Sequence, residues 1–496
     1  MEYTEWRESR DAAGMNEILG RAAALAIAVL CAGPHPALAQ EFGPGTIHEQ
    51  VACRADPAQS YALYLPSSFD PERKGPVLFL FDPGARGAAS VEAFRSAAET
   101  FGWILVGSNN SRNGPLATSV RAAHAIWIDV RERLPFDSRR IYAAGFSGGA
   151  RVASLFPRIV GEKIAGVIGC GAGLAAELDP VNLPAAAFFG LVGFKDFNYG
   201  EMKRLDQDLD GAPVAHRVFV FDGAHSWPPP ADCARAIEWL EVTAMKLGLR
   251  NVDRALVEAA FGKELDEAGS FEAEGRLFWA VERLEAAARL AEGLDLDEEA
   301  AGPADLAGRI ERHKASKEYG RFLEAERKRD RRAAAFREEF GRAFGAVEDP
   351  DTGGLVAVPK VLRATGIAFL RKEAKGADAP EDRALASRML FDLCFAARAR
   401  AMDLYARRDL NRAGAYLDVA IAACEEGLAL EPALHYDRAC VAAQAGDKAL
   451  ALRHLAVAVD KGFSDLGLLE GDKDLDPIRG EERFREIMEK ARKIGK

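Results

Sequence analysis

Cysteine is scarce in this chain, with 7 residues among 496, and the few present form no metal-binding or cross-linking pattern. The sequence has no C-x-x-C pair and no regular cysteine spacing, which excludes a zinc ribbon and a densely disulfide-bonded scaffold. The H-E-x-x-H motif of zinc enzymes and the G-x-x-x-x-G-K-[ST] motif of nucleotide-binding loops are also absent. The sequence therefore predicts neither a metal nor a cofactor. One disulfide bond is compatible with this sequence in an oxidising compartment, but the cysteine spacing does not identify the pair.

An excess of positive charge is missing as well, because 65 Lys and Arg face 76 Asp and Glu, for a formal net charge of −11. No basic face is evident that would neutralise phosphates, so nucleic acid is excluded as a default partner. Long hydrophobic runs are also lacking. The apolar stretch from Ala22 to Gly33 is too short to cross a bilayer, and no stable membrane span is predicted.

The same stretch, followed by Ala37-Leu38-Ala39 before Gln40, is typical of a secretory signal with its cleavage site. The first fourteen residues carry four acidic side chains and do not suit such a signal, so Met15 is the better start. Residues 1–39 are thus predicted to be a signal peptide of a secreted or periplasmic protein. The alternative is a small N-terminal helix of a cytosolic protein.

Residues 40–248 alternate between strand and helix patterns. Seven strands are predicted, at Tyr61–Leu65, Val77–Phe81, Trp103–Gly107, Ile141–Ala144, Ala165–Gly169, Ala187–Val192 and Arg217–Phe221. Strands that alternate with helices indicate a mainly parallel sheet covered on both faces. The predicted fold class is therefore α/β for this domain.

Beyond residue 248 the strand patterns nearly vanish and Ala, Glu, Arg and Leu dominate. The pattern predicts a helical region at 249–347, a linker at 348–360 that is rich in Asp, Pro and Gly, and an all-α domain at 361–496. Five residues recur after thirty-eight positions, with Asp409, Ala413, Leu417, Val419 and Ala420 matched by Asp447, Ala451, Leu455, Val457 and Ala458. This repeat resembles the tetratricopeptide pattern of stacked helical hairpins. An ordinary helical bundle with an Ala-rich core is the alternative.

The most informative motif is Gly145-Phe146-Ser147-Gly148-Gly149, which stands between a predicted strand and a helical pattern. G-x-S-x-G in this setting is typical of a nucleophile elbow, a strained turn that exposes a serine hydroxyl above a sheet. The small flanking residues allow the close approach of strand and helix. Ser147 is therefore the candidate nucleophile, and an inert Gly-rich turn is the alternative.

A nucleophilic serine needs a base, and the base needs an acid to orient it. With an elbow serine the chain order is Ser, then Asp or Glu, then His. Four histidines lie in the predicted domain, at His48, His124, His216 and His225. The first two precede the serine and His216 opens a strand, whereas His225 follows a strand end and is the candidate base.

Two acids compete for the third position. Asp196 follows the strand that ends at Val192, and Asp222 lies only three residues before His225. The short separation makes the approach of Asp222 to the imidazole awkward, and a turn role suits it better. Asp196 is favoured, with Asp222 as the rival.

Acyl transfer also needs N–H donors for the developing oxyanion. Gly148 supplies one, as the residue after the nucleophile, and the loop after an early strand usually supplies the other. That loop is Asp82-Pro83-Gly84-Ala85-Arg86, which makes Gly84 and Ala85 the candidates. Asp82 is unexpected beside an oxyanion, unless it points away and braces the loop.

Residues 60–230 resemble the α/β-hydrolase superfamily, and within it the polyhydroxybutyrate depolymerases and feruloyl-esterase-like hydrolases. The resemblance is carried by four segments: Tyr61-Ala62-Leu63-Tyr64-Leu65-Pro66, Gly145-Phe146-Ser147-Gly148-Gly149, Gly193-Phe194-Lys195-Asp196 and Gly223-Ala224-His225-Ser226-Trp227-Pro228. It implies Ser147 as nucleophile, Asp196 as acid and His225 as base. The chain departs from these families at Asp82-Pro83-Gly84, where they usually have a histidine and glycines.

The expected function is that of a serine hydrolase that cleaves ester bonds, and also amide bonds because the same triad cuts both. The expected substrate is a small-molecule ester or an ester carried on a polymer. The alternative function belongs to the helical half, which would bind a protein partner while the hydrolase fold serves as a scaffold with little turnover.

Overall fold

The computed structural model describes residues 42–294, 306–348, 365–424 and 430–494. Two compact units make up the chain, with the division between Gly320 and Arg321. The predicted signal peptide at 1–39, with its alternative start at Met15, lies outside the described residues, as does the predicted linker at 348–360 apart from Glu348. The predicted domain boundaries stay predictions.

An eight-stranded sheet forms the centre of the first unit. Its strands are β1 (Ile47–Ala52), β2 (Ser60–Tyr64), β3 (Gly75–Phe81), β4 (Ile104–Ser108), β5 (Phe136–Phe146), β6 (Gly166–Cys170), β7 (Ala187–Gly193) and β8 (Ala215–Phe221). Their spatial order is β1-β2-β4-β3-β5-β6-β7-β8. β2 is antiparallel to both of its neighbours, and every pairing from β4 to β8 is parallel. The predicted mainly parallel α/β sheet is therefore confirmed.

Burial explains which strands the sequence reveals. In β3 every residue after Gly75 is buried, as expected for a central parallel strand covered on both faces. β1 was not predicted, because it is an edge strand whose residues are mostly exposed or half-buried and whose middle, His48, Glu49 and Gln50, is polar. An edge strand of this composition has no apolar run or clean alternation to reveal it.

Helices cover both faces of the sheet, and each face has its own apolar core. The helices of this unit are α1 (Gly87–Phe101), α2 (Leu116–Arg133), α3 (Gly148–Val160), α4 (Tyr199–Leu209), α5 (Pro230–Lys246), α6 (Arg254–Ala273), α7 (Leu277–Ala291) and α8 (Leu306–Lys314), with a 3₁₀ turn at Pro180–Asn182. α2, α3 and α4 pack on one face, and α1 and α5 pack on the other. Val257 and Ala260 of α6 and Leu290 of α7 join this second core. The first unit therefore continues past residue 248.

A buried ionic cluster joins α6 and α7 to the sheet. The carboxylate of Glu264 lies 2.8 Å from Arg217 of β8 and 2.7 Å from Arg235 of α5. Arg283 of α7 is 3.7 Å away and completes the cluster. Burial alone would raise the pKa of Glu264, but the three arginines outweigh it and hold that pKa below its ordinary value. The cluster thus links four elements through one charged carboxylate.

The second unit is helical throughout its described residues. Its helices are the part of α9 (Lys317–Glu348) beyond Gly320, α10 (Ile367–Gly376), α11 (Pro380–Ala406), α12 (Leu410–Ala423), α13 (Glu431–Gln444), α14 (Lys448–Asp460), α15 (Leu466–Gly471) and α16 (Glu482–Ile494), with a 3₁₀ turn at Lys473–Ile478. The two copies of the sequence repeat begin α12 and α14 in the same way. Asp409 and Asp447 each cap their helix by accepting a hydrogen bond from a backbone N–H three residues later.

The repeat also buries equivalent positions. Leu417 of α12 and Leu455 of α14 are both fully buried. The alanines four residues before and three residues after each leucine are fully buried too: Ala413, Ala420, Ala451 and Ala458. The tetratricopeptide-like character of this unit, and the binding of a protein partner through it, stay predictions.

The six cysteines among the described residues are buried, and none of them forms a disulfide. They are Cys53, Cys170, Cys233, Cys394, Cys424 and Cys440. In the same ranges, no helix combines the length and the apolar character needed to cross a lipid bilayer.

Candidate active site

Ser147 lies in the tight turn between β5 and α3. Its backbone angles, φ 53° and ψ −121°, fall in a region that residues with a side chain rarely adopt. The Ser147 N–H donates to the carbonyl of Cys170 at the end of β6, at 2.8 Å, which holds the turn against the neighbouring strand. The strain is maintained because strand, turn and helix are all fixed by buried neighbours.

Two glycines make this turn sterically feasible. A β-carbon at Gly145 would collide with the carbonyl of Gly149, and a β-carbon at Gly149 would collide with the carbonyl of Phe81. Glycine at position 145 therefore allows α3 to lie close to β5. Glycine at position 149 allows α3 to lie close to the end of β3. This is the close packing that the G-x-S-x-G pattern predicts.

His225 lies against Ser147. The loop after β8 places its Nε2 2.9 Å from the Ser147 hydroxyl oxygen. Its Nδ1 is 2.9 Å from each carboxylate oxygen of Asp196, which is fully buried in the turn after β7. A proton on Nδ1 satisfies the carboxylate and leaves Nε2 free to accept the serine proton. The structure therefore brings together the three residues that the sequence singled out as nucleophile, base and acid.

Backbone contacts hold the Asp196 carboxylate in place. It accepts a hydrogen bond from the Asn198 N–H at 2.8 Å, and the Asn198 side chain donates to the carbonyl of Gly171 at 2.6 Å. The loops that carry Asp196 and His225 are also joined directly, because the Lys195 N–H donates to the carbonyl of Gly223 at 2.8 Å. None of these three hydrogen bonds could be predicted from the sequence.

Two aromatic rings pack against the imidazole. The ring centre of His225 lies 4.7 Å from that of Phe146 and 4.2 Å from that of Phe197. Phe146 belongs to the elbow motif, whereas the role of Phe197 was missed, although its place directly after the acid was a usable signal. The two rings limit the tilt of the imidazole between Ser147 and Asp196.

The rival residues lie elsewhere. Asp222 is exposed, whereas both carboxylate oxygens of Asp196 contact Nδ1 of His225. His48 contacts the carbonyl of Gly43 at 3.1 Å, and His216 lies 3.4 Å from Asp210. Burial lowers the pKa of His124, which stabilises its neutral form.

The loop after β3 folds around its own carboxylate. Asp82 is fully buried and accepts hydrogen bonds from the Gly84 N–H at 2.7 Å and from the Arg86 side chain at 2.8 and 2.9 Å. The indole N–H of Trp227, two residues after His225, donates to it at 2.7 Å. Asp82 therefore connects this loop to the loop that carries His225.

The charge of Asp82 is well compensated. Burial would raise the pKa of Asp82, but the hydrogen bonds from Arg86, Trp227 and Gly84 outweigh it and leave that pKa below its ordinary value. In turn, the hydrogen bond to Asp82 raises the pKa of Arg86. Asp82 is thus a charged brace, the role that the sequence left open for it.

The candidate oxyanion donors differ in their surroundings. Gly148 begins α3, where a backbone N–H has no partner within the helix and the helix dipole favours negative charge. Gly84 donates to the Asp82 carboxylate, and the Ala85 N–H donates to the Asp82 carbonyl at 3.2 Å. Of these three candidates, Gly148 is the one whose N–H has no acceptor among the residues that the structure describes.

Asn113 is a neighbour of the nucleophile that sequence reasoning missed. It lies in the loop between β4 and α2, and its N–H donates to the carbonyl of Pro83 at 2.9 Å. A β-carbon at Gly148 would collide with the side-chain oxygen of Asn113. No pattern in the sequence links position 113 to the elbow.

Within the described ranges, no group of three or more His, Cys, Asp or Glu side chains could hold a metal ion. What the arrangement offers instead is a polarised hydroxyl. Ser147 is half-buried and the His225 side chain is 15% exposed, so a small molecule can reach both.

No protein-family model and no curated protein matches this chain. Solved structures of serine hydrolases are similar to part of it. The fluorophosphonate-binding serine hydrolase FphF of Staphylococcus aureus is 15% identical, with a TM-score of 0.32 over 40% of this chain and 99% of its own. A ferulic acid esterase is 16% identical, with a TM-score of 0.32 over 37% of this chain and 92% of its own. Esterase 2 of Thermogutta terrifontis is 12% identical, with a TM-score of 0.34 over 42% of this chain and 97% of its own.

Proposed function

We propose that this protein is a serine hydrolase that cleaves carboxylic esters through an acyl-enzyme, with Ser147 as nucleophile, His225 as general base and acid, and Asp196 as the acid that orients the imidazole. The observation that carries the proposal is the continuous contact from the Ser147 hydroxyl through His225 to Asp196, with 2.9 Å at each step. A hydroxyl, an imidazole and a buried carboxylate that contact one another in this order form the arrangement that activates serine in unrelated hydrolases.

In the first half-reaction, the Ser147 oxygen attacks the ester carbonyl while its proton moves to Nε2 of His225. Asp196 accepts the Nδ1–H and stabilises the imidazolium that forms. The carbonyl oxygen becomes an oxyanion, and the N–H of Gly148 donates to it. When the tetrahedral intermediate collapses, the alcohol leaves with the proton from Nε2 and the acyl group stays on Ser147.

In the second half-reaction, a water molecule gives its proton to Nε2 and attacks the acyl-enzyme carbonyl. A second tetrahedral intermediate forms, and the Gly148 N–H donates to its oxyanion. Its collapse releases the carboxylic acid and returns the proton to the Ser147 oxygen. The enzyme is then unchanged, and no metal or cofactor enters the sequence of steps.

The substrate class proposed is a small-molecule ester or an ester carried on a polymer, and amide bonds remain within reach of the same chemistry. Partial exposure of His225 and Ser147 supports a site that soluble esters can enter. The proposed location is outside the cytoplasm, in the periplasm or secreted, and it rests on the signal-like pattern of residues 1–39.

The test is a panel of short p-nitrophenyl esters and aromatic esters, measured with the wild type and with Ser147→Ala. Loss of a triad nucleophile lowers kcat by about 10⁶-fold in a well-studied serine hydrolase, so activity of the variant should fall to background. Ser138→Ala is the matched control, because Ser138 is exposed at the opposite end of the same strand, β5. A fluorophosphonate probe should label the wild type and the control but not Ser147→Ala. Equal hydrolysis by wild type and Ser147→Ala would overturn the proposal.

A further inference from the structure

The loop after β3 uses its backbone donors on an internal anion. The N–H groups of Gly84 and Arg86 point to the Asp82 carboxylate, at 2.7 and 3.4 Å, and the Ala85 N–H points to the Asp82 carbonyl at 3.2 Å. Successive N–H groups that converge in this way form an anion-binding nest. Here the anion is part of the chain and is fully buried, so the nest is already filled.

Release of these donors would be costly. The Gly84 N–H could turn toward a substrate only if the buried, charged Asp82 carboxylate lost a hydrogen bond, and the Ala85 N–H could do so only if the Asp82 carbonyl lost one. Removal of a hydrogen bond from a buried charged acceptor is unfavourable, because the charge stays buried with one donor fewer. A second donor for the oxyanion should therefore come from a group that has no partner before substrate binds.

The Asn113 carboxamide meets this condition. Among the described residues it makes no side-chain hydrogen bond, and Asn113 is exposed. Its oxygen Oδ1 would collide with a β-carbon at Gly148, and its carbon Cγ lies 3.0 Å and its nitrogen Nδ2 3.6 Å from the position of that β-carbon. The carboxamide is thus packed against the residue whose N–H is the first oxyanion donor.

The loop that carries Asn113 is held in place. The Asn113 N–H bonds to the carbonyl of Pro83, and Gly84 pairs with Arg112 in an isolated antiparallel bridge. The hydroxyl of Ser119 in α2 accepts from the Arg112 N–H at 3.2 Å and donates to its carbonyl at 3.0 Å. Loops after β3 and β4 therefore share one short pairing, and that pairing fixes the backbone of Asn113 beside Gly148.

We propose that the Asn113 side chain is the second oxyanion donor of this site and donates through Nδ2–H to the substrate carbonyl oxygen while the Gly148 N–H donates from the backbone. The proposal rests on the serine hydrolase function proposed above. An asparagine carboxamide has two N–H donors on one planar group, and rotation about its last torsion can present them to the oxyanion. The absence of a β-carbon at position 148 leaves the room that this side chain needs.

The test uses the full-length protein with Asn113→Ala and Asn113→Asp. Asn113→Asp keeps the size and shape of the side chain but removes both donors, so it remains informative if the alanine variant folds poorly. Loss of one oxyanion donor lowers kcat by about 10²- to 10³-fold, and we expect a change of this size with KM within about threefold of the wild type. Arg112→Ala is the matched control in the same loop, because its guanidinium is exposed and has no ion-pair partner among the described residues.

A second measurement separates an oxyanion donor from a structural role. A boronic acid forms a tetrahedral adduct on serine and resembles the intermediate, whereas the carboxylate product does not. Asn113→Ala should weaken boronate inhibition by the same factor as kcat/KM and leave product inhibition unchanged. If the wild type hydrolyses none of the esters, the rate of Ser147 labelling by a fluorophosphonate replaces kcat, because its phosphoryl oxygen needs the same donors.

The two proposals can fail separately. If Ser147→Ala is inactive while Asn113→Ala and Asn113→Asp keep kcat within about threefold of the wild type, the oxyanion assignment is wrong and the hydrolase function stands. If Asn113→Ala weakened boronate binding and product binding equally, Asn113 would have a structural role and would not be an oxyanion donor. If Ser147→Ala is as active as the wild type, both proposals fail together.

Discussion

The two compact units of this chain bring polar side chains together over very different sequence separations. In the first unit, Ser147 and His225 are 78 residues apart in the chain, and Asp82 and Trp227 are 145 residues apart. In the second unit, His435 and His454 are 19 residues apart, and Arg337 and Asp392 are 55 residues apart. Parallel strands all end at one edge of the sheet, so loops from distant parts of the chain meet there. Helical hairpins join mostly neighbours in sequence.

The difference in sequence separation determines where several reactive side chains can meet in the molecule. At the sheet edge a hydroxyl, an imidazole and a carboxylate from three separate loops lie within 2.9 Å of one another in series. Between the helices of the second unit, arginines contact carboxylates, as Arg438 does with Asp418 at 2.8 Å and Arg329 does with Asp382 at 2.8 Å. The first arrangement can activate a group, whereas the second mainly fixes the register of two helices.

Among the substitutions that test this comparison, the largest expected effect is at Asp196. Asp196→Asn keeps the shape of the side chain but cannot hold the His225 proton on Nδ1 in the same way, and kcat should fall by about 10⁴-fold, about 5.5 kcal/mol in the barrier. The control is Asp222→Asn, the exposed rival on the neighbouring loop, which should retain wild-type activity. Steady-state hydrolysis of a p-nitrophenyl ester measures both. A larger loss in Asp222→Asn than in Asp196→Asn would contradict the geometry.

The next effect concerns the stability of the first unit. Glu264→Gln would leave Arg217, Arg235 and Arg283 without their shared carboxylate, and removal of one partner from a buried ion pair costs about 3–5 kcal/mol. Calorimetry should show the first unit unfolding at a lower temperature.

Its control lies in the second unit. Glu486→Gln breaks an exposed ion pair with Arg483, and such pairs contribute about 0–1 kcal/mol. If the two substitutions lowered stability equally, burial would not be the reason for the strength of the Glu264 cluster.

A smaller effect is expected where Asp82 connects its loop to the loop of the base. Trp227→Phe removes the 2.7 Å hydrogen bond to the buried Asp82 carboxylate, and hydrogen bonds to charged groups contribute about 1.5–3 kcal/mol. Trp239→Phe removes the same atoms at a buried position where the indole nitrogen has no hydrogen-bond partner among the described residues. Urea denaturation should separate the two. Equal losses would mean that ring volume, rather than the hydrogen bond, accounts for the change.

The smallest effect is a pH dependence confined to the second unit. Burial and the nearby charge of Arg438 lower the pKa of His454 to about 4, and the contact of its Nδ1 with that of His435, at 3.0 Å, needs at least one neutral ring. Because this pKa lies below the ordinary 6.5, neutral His454 stabilises the α13–α14 hairpin above pH 6.5, and the contribution is lost as pH falls toward 4. After solvent screening we expect on the order of 1 kcal/mol, or roughly 2–4 °C in Tm.

Thermal unfolding at pH 7 and at pH 4.5 measures this effect. His454→Asn removes the titrating ring, so the helical transition of that variant should move less between the two pH values than that of the wild type. An equal shift in both proteins would assign the pH dependence to other groups.

Much of the first unit could be predicted because its local signals are strong. The continuous apolar run of β3 and the alternation of strands with helical patterns identify a parallel sheet, and all seven predicted strands are present. β1 escaped prediction because its polar residues carry no apolar pattern. The packing of α6 and α7 onto the sheet was also missed, because a buried cluster of Arg and Glu resembles a solvated charged face in the sequence.

By itself, the sequence determined the local geometry of the nucleophile turn, since only glycine fits at positions 145 and 149, and it determined which strand ends carry a histidine and two aspartates. Tertiary structure decided which aspartate faces His225, that Asp82 is enclosed by its own loop, and that Asn113 lies beside Gly148. Turn geometry depends on residues next to one another in the chain. Convergence at a sheet edge depends on strand order and on loop contacts that no short stretch of sequence encodes.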